Sequence, residues 1–479
     1  MKNDNDKKRN IKKELLYLLI AIAGSFVVFV LIFCIIAHDD IRELGIFDGV
    51  RDTVNSITGG GVLPNQPPFS QSSVSDTYLV GFDYSTADFL EKAPTVIVKV
   101  RYDGRLEVEI PHTLANGEQY SDTVFFDLGE KEYRNIEKEI NLKILYELDP
   151  EEADPETTCD GGTSWLIIYD KNGDVYKRCG GFCPHNEDFC RMQRAIYSNL
   201  PEEFKEYCER YKKIWQREDG FRPYAGSEQY WTKYGVFLDY DGNLEDLREN
   251  YDYIVIDAQY HDPKEIKAFN SRYDKYVYSY INIGSIEDFR AYYEDYADLA
   301  LGDYENWDGE KWVDVSDERW QNFILDELAP ELLEKGINGF FVDNCDVYYN
   351  YPTEDILEGL AVIMGGLKEM GCDVIINGGD AFLDAYTDNI GPWTDVITGI
   401  NQECVFTSID WEANRLIPAS GEDRDYFTDY IEKYGDMGAY IFLIEYVEDT
   451  DSTAIREDIK AYCKERNYLY YISGSIGLR

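Results

Sequence analysis

Histidine is scarce in this sequence, which has 4 among its 479 residues. The histidines are scattered along the chain, at positions His38, His112, His185 and His261. Neither a histidine-based zinc site nor a Ser-His-Asp triad is therefore indicated. The sequence also lacks a Walker-type phosphate loop and the glycine fingerprint of dinucleotide-binding proteins. We expect no metal and no cofactor.

Basic residues are also few. The chain has 46 lysines and arginines against 93 aspartates and glutamates, which gives a net charge of -47. A nucleic-acid-binding protein needs a basic surface, so this class is excluded. A negative field attracts positively charged ligands, although acidity also keeps an extracellular protein soluble. Aromatic residues make up 15% of the chain. Their rings can stack on sugars, but they also fill strands and cores.

Charge is absent from residues 15–37, an apolar run. At ~1.5 Å per residue, this run is long enough to cross the ~30 Å hydrocarbon core of a bilayer. Lysines and arginines precede it and Asp39-Asp40 follows it, which predicts a cytoplasmic N-terminus. We predict a basic cytoplasmic tail (1–14), a signal-anchor helix (15–37) and a Gly-, Pro- and Ser-rich linker (38–76). The rest of this single-pass cell-membrane protein is then extracellular.

Residues 77–215 have the pattern of a small α+β accessory domain. Asp103-Gly104 and Asn172-Gly173 each separate two apolar runs, which is typical of β-hairpins. Helical patterns follow at 132–148 and 201–211. A recognition, spacer or regulatory role is the default expectation for this domain.

Five cysteines occur in the accessory domain, namely Cys159, Cys179, Cys183, Cys190 and Cys208. Outside the membrane such a group favours disulfides. The spacing of Cys179 and Cys183 also suits zinc, but the absence of histidines nearby makes disulfides the preferred interpretation.

Residues 216–479 alternate short apolar runs with amphipathic segments, which predicts parallel strands joined by helices. The predicted strands are 235–239, 253–257, 276–282, 339–343, 373–377, 396–401, 439–444 and 468–472. Eight such units in this length predict a C-terminal (β/α)8 TIM barrel, which typically has ~250 residues. A doubly wound open sheet is the alternative.

Polar side chains follow nearly every predicted strand, and active sites of such barrels collect at these carboxyl ends. Asp343 and Glu403 end the fourth and sixth strands. Because strands lie ~4.8 Å apart, two inward-facing side chains on these strands can approach one another. Two carboxylates in an acidic, aromatic cleft favour glycoside hydrolysis, in which one attacks or activates water and the other donates a proton. A separation of ~5–5.5 Å would make the enzyme retaining.

Four segments, taken together and in order, resemble glycoside hydrolase family 114, the endo-α-1,4-polygalactosaminidases, and related TIM-barrel hydrolases. They are YSYINIGS (278–285), the stretch from Trp307 to Trp312-Val313-Asp314, GFFVDNCD (339–346) and GINQE (399–403). The resemblance implies that Asp343 is the nucleophile and Glu403 the acid/base. It also implies a galactosamine-type, partly cationic polysaccharide as substrate. One departure is Ser285-Ile286-Glu287 after Gly284, where the family often has Gly-Glu.

Other polar and aromatic residues near the strand ends are predicted to bind substrate. They are Asp257, Tyr280, Asn282, Trp312, Asp346, Asn377, Glu445 and Tyr446. Trp307 and Trp312 are expected to form a platform for a sugar ring in the long loop after the third strand, and a small satellite core is the alternative for both. Turn capping is the alternative for the acidic and amide residues. Cys345 and Cys404 are expected to be buried thiols, because alternation turns them away from the neighbouring carboxylates. A catalytically inactive polysaccharide-binding or envelope-assembly protein on the same barrel is the alternative function.

Overall fold

The computed structural model describes residues 69–85, 93–148, 163–182, 184–221, 232–272, 274–305, 307–413, 415–448 and 453–478. The predicted cytoplasmic tail, the predicted membrane helix (15–37) and most of the predicted linker lie outside these ranges. No helix within them has both the length and the hydropathy needed to cross a membrane.

The accessory domain contains a six-stranded antiparallel sheet, with the strand order β4-β3-β2-β1-β5-β6. Its strands are β1 (Tyr78–Ser85), β2 (Thr95–Arg101), β3 (Arg105–Thr113), β4 (Gln119–Asp127), β5 (Thr163–Tyr169) and β6 (Val175–Phe182). In β2 the apolar residues alternate, so Val96, Val98 and Val100 are buried while Lys99 and Arg101 face the other side. The two predicted hairpins, β2–β3 and β5–β6, are confirmed.

Four helices pack on the valine-bearing face of this sheet. They are α1 (Glu130–Glu139), α2 (Leu142–Glu147), α3 (Glu187–Tyr197) and α4 (Glu202–Gly220). Their apolar stripes supply Ile136, Phe189 and Phe204 to one shared core. The predicted helical stretch at 132–148 is therefore two helices, and the helix predicted at 201–211 continues to Gly220.

The predicted disulfides are wrong for two of the five cysteines. Cys190 and Cys208 are free thiols, and neither forms a disulfide. Burial raises the pKa of Cys208 to about 12, while Cys190 Sγ lies 3.3 Å from the Pro184 carbonyl oxygen. Cys159 and Cys183 lie outside the described residues, so a disulfide that involves either of them stays a prediction.

The remaining strands form the barrel and two smaller sheets. They are β7 (Tyr234–Phe237), β8 (Tyr253–Ile256), β9 (Tyr276–Asn282), β10 (Ser285–Glu287), β11 (Ala300–Asp303), β12 (Glu310–Val313), β13 (Gly339–Asp343), β14 (Asp373–Asn377), β15 (Gly399–Glu403), β16 (Thr407–Asp410), β17 (Arg415–Pro418), β18 (Tyr440–Tyr446) and β19 (Leu469–Ser473). Eight of these run parallel in the order β7-β8-β9-β13-β14-β15-β18-β19.

The eight-stranded sheet curls until β19 lies beside β7, where the Asp239 N–H donates to the Leu478 carbonyl oxygen at 3.4 Å. This nearly closed sheet confirms the barrel and excludes the doubly wound alternative. All eight predicted strands are present, and β9, β13 and β14 have the predicted ends. Strand β15 begins at Gly399 instead of 396, because a 3₁₀ turn at Trp393–Asp395 precedes it.

Helices connect the barrel strands on the outside. They are α5 (Leu244–Arg248), α6 (Pro263–Phe269), α7 (Tyr293–Tyr296), α8 (Glu318–Asn322), α9 (Ala329–Glu334), α10 (Val347–Asn350), α11 (Glu354–Glu369), α12 (Asp380–Asn389), α13 (Gly421–Asp436) and α14 (Thr453–Arg466). Where Pro330 predicts a kink, a π-helical stretch (Phe323–Leu328) joins α8 to α9. Proline lacks an N–H, so the regular hydrogen-bond ladder is interrupted there.

Two insertions stand at the carboxyl ends of the barrel strands. The three-stranded sheet β10-β12-β11 follows β9, and the hairpin β16-β17 follows β15. They come from the third and sixth barrel strands, so they rise from well-separated positions around the barrel rim. They add side chains to the end of the barrel at which the polar strand ends meet.

The accessory domain is joined to the opposite end of the barrel through α4. The Arg217 guanidinium donates to both carboxylate oxygens of Asp373, at 2.8 and 2.7 Å, where β14 begins. Its cation also lies 4.1 Å from the centre of the Tyr440 ring. Glu218 accepts hydrogen bonds from the Thr113 N–H and contacts His112, both on β3. Residues 69–479 accordingly form one compact unit.

We predict that Arg217→Ala lowers the free energy of unfolding by about 3–5 kcal/mol, because it leaves the Asp373 charge buried without its partner. The measurement is urea denaturation of the intact protein followed by circular dichroism. Arg134→Ala is the matched control, since Arg134 forms an exposed ion pair with Glu137; little change is expected there. Equal effects of the two substitutions would contradict the prediction.

Candidate active site

A cleft of about 1170 Å³ opens at the carboxyl ends of the barrel strands. Side chains at or just beyond the carboxyl ends of all eight barrel strands line it, as do side chains from both insertions. Parallel strands present their carboxyl ends on the same side of the sheet, so the polar residues that follow them converge. Asp343, Asp346, Asn377, Glu403 and Tyr446 all line this cleft, as does Tyr280.

Asp343 and Glu403 are brought together by one amide group. They are the last residues of β13 and β15, and Asn377 is the last residue of the intervening β14. Asn377 Nδ2 donates to Asp343 Oδ1 at 2.9 Å and to Glu403 Oε1 at 2.8 Å. The two carboxylate oxygens therefore lie within two hydrogen-bond lengths of each other.

The two carboxyl groups have different surroundings. The pKa of Asp343 is raised to about 7, mainly by burial and also by the negative charge of Glu403, whereas the Asn377 amide opposes the shift. Glu403 accepts a second hydrogen bond, at 2.5 Å, from the Tyr446 hydroxyl. Within the described residues, Asp343 Oδ2 has no hydrogen-bond donor, so this oxygen is the one available to a ligand.

Asp346 lies next to the pair, beneath the Gly378–Gly379 turn. Burial raises its pKa to about 6, with a further contribution from the charge of Asp380. Asp346 precedes α10, but its side chain does not cap that helix. Its carboxyl group instead accepts from the Gly379 N–H, in the turn after β14, and also lines the cleft.

A fourth carboxylate of this group, Glu310, comes from β12 and was not predicted. Its Oε1 accepts hydrogen bonds from Asn282 Nδ2 at 3.1 Å and Asn344 Nδ2 at 3.0 Å, and from the Ser285 hydroxyl. Burial raises the pKa of Glu310. The prediction that Asn282 contacts substrate is wrong, because its amide is buried and holds Glu310 in place.

The backbone next to Asp343 is shaped to deliver Asn344 to this cluster. Asn344 has φ 67°, in the left-handed region that asparagine tolerates better than most residues. Its carbonyl oxygen would lie 1.8 Å from a Cβ at position 284, so only glycine fits at Gly284. The Gly284-Ser285 sequence therefore serves packing as well as hydrogen bonding.

Asp257 and Tyr280 belong to a buried ionic cluster centred on Arg290, which was also not predicted. Arg290 donates to Asp257 Oδ2 at 2.6 Å and to both oxygens of Glu287, at 2.8 and 3.1 Å. Tyr280 donates its hydroxyl to Glu287 at 3.3 Å. Asp257 also caps the turn that follows β8, by accepting from the Gln259 N–H. The cluster forms one wall of the cleft.

Of the two tryptophans predicted to form a sugar platform, only one lines the cleft. Trp312 is 3% exposed and packs against Tyr304, so its predicted contact with substrate is wrong. It belongs to the large hydrophobic core of the barrel, so the alternative of a small satellite core is also wrong for Trp312. Trp307 is 46% exposed and lines the cleft. Its ring meets that of Trp411 edge to face, with the ring centres 5.9 Å apart. Trp411 comes from the β16–β17 hairpin, so the two insertions touch across the cleft.

Glu445 does not reach the cleft. It is fully buried and accepts hydrogen bonds from the Phe406 and Thr407 N–H groups, both at 3.0 Å, and from the Thr407 hydroxyl at 2.6 Å. The prediction that Glu445 binds substrate is wrong. Its carboxylate instead anchors the turn that follows Glu403.

Of the two cysteines beside the carboxylate pair, Cys345 is buried as expected, whereas Cys404 is half-buried. Cys345 is fully buried, and its Sγ lies 3.9 Å from the Met364 sulfur. Burial raises the pKa of both the Cys345 and the Cys404 thiols, which makes them poor nucleophiles.

The cleft is strongly acidic. Among the described residues, its lining includes Arg290 as the only lysine or arginine, together with Asp239, Asp241, Asp257, Glu265, Glu287, Asp308, Glu310, Asp343, Asp346, Asp380 and Glu403. No group of three or more His, Cys, Asp or Glu residues in these ranges is arranged to hold a metal ion.

Residues 219–473 match the model of glycoside-hydrolase family GH114. Among solved structures, the chain is similar to the glycoside hydrolase domain of PelA from Pseudomonas aeruginosa, with 19% identity, coverage of 51% of this chain and 95% of that chain, and a TM-score of 0.44. It is also similar to Ega3 from Aspergillus fumigatus, solved in complex with galactosamine, with 19% identity, coverage of 52% and 92%, and a TM-score of 0.41. A search of curated proteins found no match.

We predict that Glu445→Gln lowers the free energy of unfolding by about 2 kcal/mol, because an amide group would face the Phe406 and Thr407 N–H donors. We also expect slower catalysis, since the turn that Glu445 anchors follows Glu403 directly. Urea denaturation and steady-state kinetics measure the two effects. The control is Glu358→Gln on the exposed side of α11, which should change neither. An unchanged Glu445→Gln protein would contradict the anchoring role.

Proposed function

Because the chain belongs to glycoside-hydrolase family GH114, we propose that it cleaves an α-linked, galactosamine-type polysaccharide by a two-carboxylate mechanism. The observation that carries the proposal is the Asp343–Glu403 pair, bridged by Asn377 in an acidic cleft. We further propose that residues 15–37 anchor the enzyme in the cell membrane and place the cleft outside the cell. That part rests on the sequence pattern alone.

The roles that the family resemblance implies, with Asp343 as nucleophile and Glu403 as acid/base, are adopted here on the hydrogen bonds of the two groups. Among the described residues, no group donates a hydrogen bond to Asp343 Oδ2, so this oxygen is available to attack the anomeric carbon. Glu403 protonates the leaving oxygen as the glycosidic bond breaks, and the sugar becomes covalently bound to Asp343. Glu403 then takes a proton from water, which attacks the anomeric carbon and releases Asp343 as a carboxylate. The Tyr446 hydroxyl orients Glu403 through both steps.

The spacing of the pair supports retention of the anomeric configuration. The two oxygens share one amide nitrogen, at 2.9 and 2.8 Å. Retaining glycosidases hold their carboxyl groups ~5–5.5 Å apart, whereas inverting enzymes leave ~6.5–9.5 Å for a water molecule between them. A shared amide leaves no room for that water molecule, so attack by Asp343 itself is favoured.

The charge of the cleft supports a substrate with free amino groups. Arg290 is already paired with Asp257 and Glu287, so it offers little to an anionic sugar. Asp346, Glu310 and the catalytic pair leave a net negative field in which an ammonium group is stabilised. The exposed faces of Trp307 and Trp411 suit stacking against the apolar face of a sugar ring.

We predict that Glu403→Gln lowers kcat/KM on a galactosamine polymer by about 10²–10⁴-fold, because proton transfer to the leaving oxygen is lost. Asp343→Asn should lower it at least as much. The measurement is release of reducing ends by the purified extracellular region, with the anomer of the first product read by NMR. Asp429→Asn, on an exposed position of α13, is the control and should keep full activity. Wild-type activity no higher than that of both catalytic variants would refute the enzyme proposal; a β product would refute retention alone.

The pH dependence follows from Asp343, which must be ionised to attack. Its pKa is raised to about 7, so kcat/KM should fall below pH 7 as Asp343 becomes protonated. In Glu403→Gln the negative charge beside Asp343 is gone, so the pKa of Asp343 should fall. The acidic limb of the pH profile, which is the fall in kcat/KM at low pH, should then move to lower pH. An activated aryl galactosaminide tests this variant, because its leaving group needs no protonation. An acidic limb at the same pH in Glu403→Gln as in the wild type would contradict the coupling between the two carboxyl groups.

A further inference from the structure

Three side chains form a line of hydrogen bonds beneath the carboxylate pair. Tyr234, on β7, donates its hydroxyl to Asn401 Oδ1 at 3.1 Å. Asn401, on β15, donates through Nδ2 to Asn377 Oδ1 at 2.7 Å. Asn377 then donates to both carboxylates. Asn401 is 0% exposed and Tyr234 is 3% exposed, so neither can touch a substrate.

The direction of these hydrogen bonds follows from charge. An asparagine side chain has an oxygen and a nitrogen of nearly equal size, and its neighbours decide which way it points. The Asn377 oxygen cannot face two carboxylates, so its nitrogen does. The Asn377 oxygen then needs a donor, and in the part of the chain that the structure describes the Asn401 nitrogen is the one that supplies it. The Asn401 oxygen needs a donor in turn, and the Tyr234 hydroxyl provides it.

We propose that Asn401, oriented by Tyr234, is a positioning residue that acts through Asn377 to hold the two catalytic carboxyl groups at a fixed separation with an N–H on each. The catalytic consequence rests on the function proposed above. The hydrogen-bond geometry does not depend on it. A change at position 401 should therefore alter the reactivity of the carboxyl pair without altering the surface that binds substrate.

A purely structural role would give a different result. A buried asparagine can simply satisfy polar groups in a barrel core, and its loss then lowers stability alone. A positioning residue also changes kcat and the pH profile, because Asn377 opposes the rise in the pKa of Asp343. The two roles are therefore distinguished by measuring kcat, KM and the acidic limb of the pH profile. These are compared among variants whose substituted side chains have similar volumes.

The first variant is Asn401→Leu, which keeps the volume but removes the donor. We expect kcat to fall about 10–100-fold, as for a catalytic group displaced by up to ~1 Å. KM should stay within a factor of about two, because no substrate contact is lost. The acidic limb should move to higher pH. A folded variant with wild-type kcat and a wild-type pH profile would overturn the proposal.

The second variant is Asn401→Asp, which keeps the shape and makes the donor depend on pH. An ionised Asp at this position cannot donate to Asn377 Oδ1, whereas a protonated one can. The ratio of variant to wild-type kcat should therefore rise as the pH falls. In Asn401→Leu the corresponding ratio should show no such recovery. If Asn401→Leu fails to fold, Asn401→Asp and Tyr234→Phe decide, and wild-type kinetics in both would overturn the proposal.

The matched control is Asn338→Leu. Asn338 is also a buried asparagine, but it precedes β13 at the opposite end of the barrel, where it accepts from the Val277 N–H at 2.8 Å. Its substitution should lower stability and leave the pH profile unchanged. An equal shift of the acidic limb in Asn338→Leu and Asn401→Leu would show that general loosening of the barrel causes the shift, and would overturn the proposal.

An activity-independent measurement separates this proposal from the proposed function. Carbodiimide modifies protonated carboxyl groups, so its pH dependence at Asp343, read by mass spectrometry, reports when that group loses its proton. We expect the midpoint to be higher in Asn401→Leu than in the wild type. A higher midpoint of modification in Asn401→Leu, together with no hydrolysis of the polymer by the wild type, would support the positioning role and refute the proposed function. An unchanged midpoint would refute the positioning role whatever the activity.

Discussion

The active site depends on the sharing of one amide group between two carboxylates. Asp343, Asn377 and Glu403 are the last residues of three adjacent parallel strands. Parallel register pairs Val342 with Ile376, which places Asp343 beside Asn377. Asn377 pairs with Asn401, so Glu403 lies two residues further along β15. Strands two apart are ~10 Å apart at the backbone, and a side chain on the middle strand can reach both neighbours. The barrel thus provides the spacing, and Asn377 supplies the contact.

The alternation of side chains along each strand explains which parts of the site could be predicted from the sequence. A buried apolar run that ends in a carboxylate marks a barrel strand and its carboxyl end, and this pattern located Asp343, Asn377 and Glu403. Alternation also shows why Glu445 and Tyr446 could not both face the cleft, because consecutive residues of a strand point to opposite faces. Tyr446 reaches Glu403, so Glu445 had to point away.

The residues that were missed come from the irregular insertions. Glu310 and Trp411 lie in hairpins whose positions over the cleft depend on tertiary packing, and no local pattern reveals that packing. Arg290 follows Glu287 by three residues, a spacing that predicts an ion pair but not the third member, Asp257. Trp312 was assigned to the cleft from its aromatic character, although its position in β12 turns it toward Tyr304.

The acidic cleft destabilises the empty protein at neutral pH, and this effect favours a cationic ligand. Burial raises the pKa of Asp343 to about 7 and that of Asp346 to about 6, so each has a higher pKa in the folded than in the unfolded chain. Such a carboxyl group stabilises the fold at low pH, and this contribution is lost as the pH rises through the folded-state value. At neutral pH the cleft therefore holds closely spaced charges that destabilise the empty protein. A bound cation offsets that repulsion, whereas a neutral sugar does not, so binding of an amino sugar should stabilise the protein more as the pH rises toward 7. The electrostatic strain of the empty site thus favours the substrate class proposed for it.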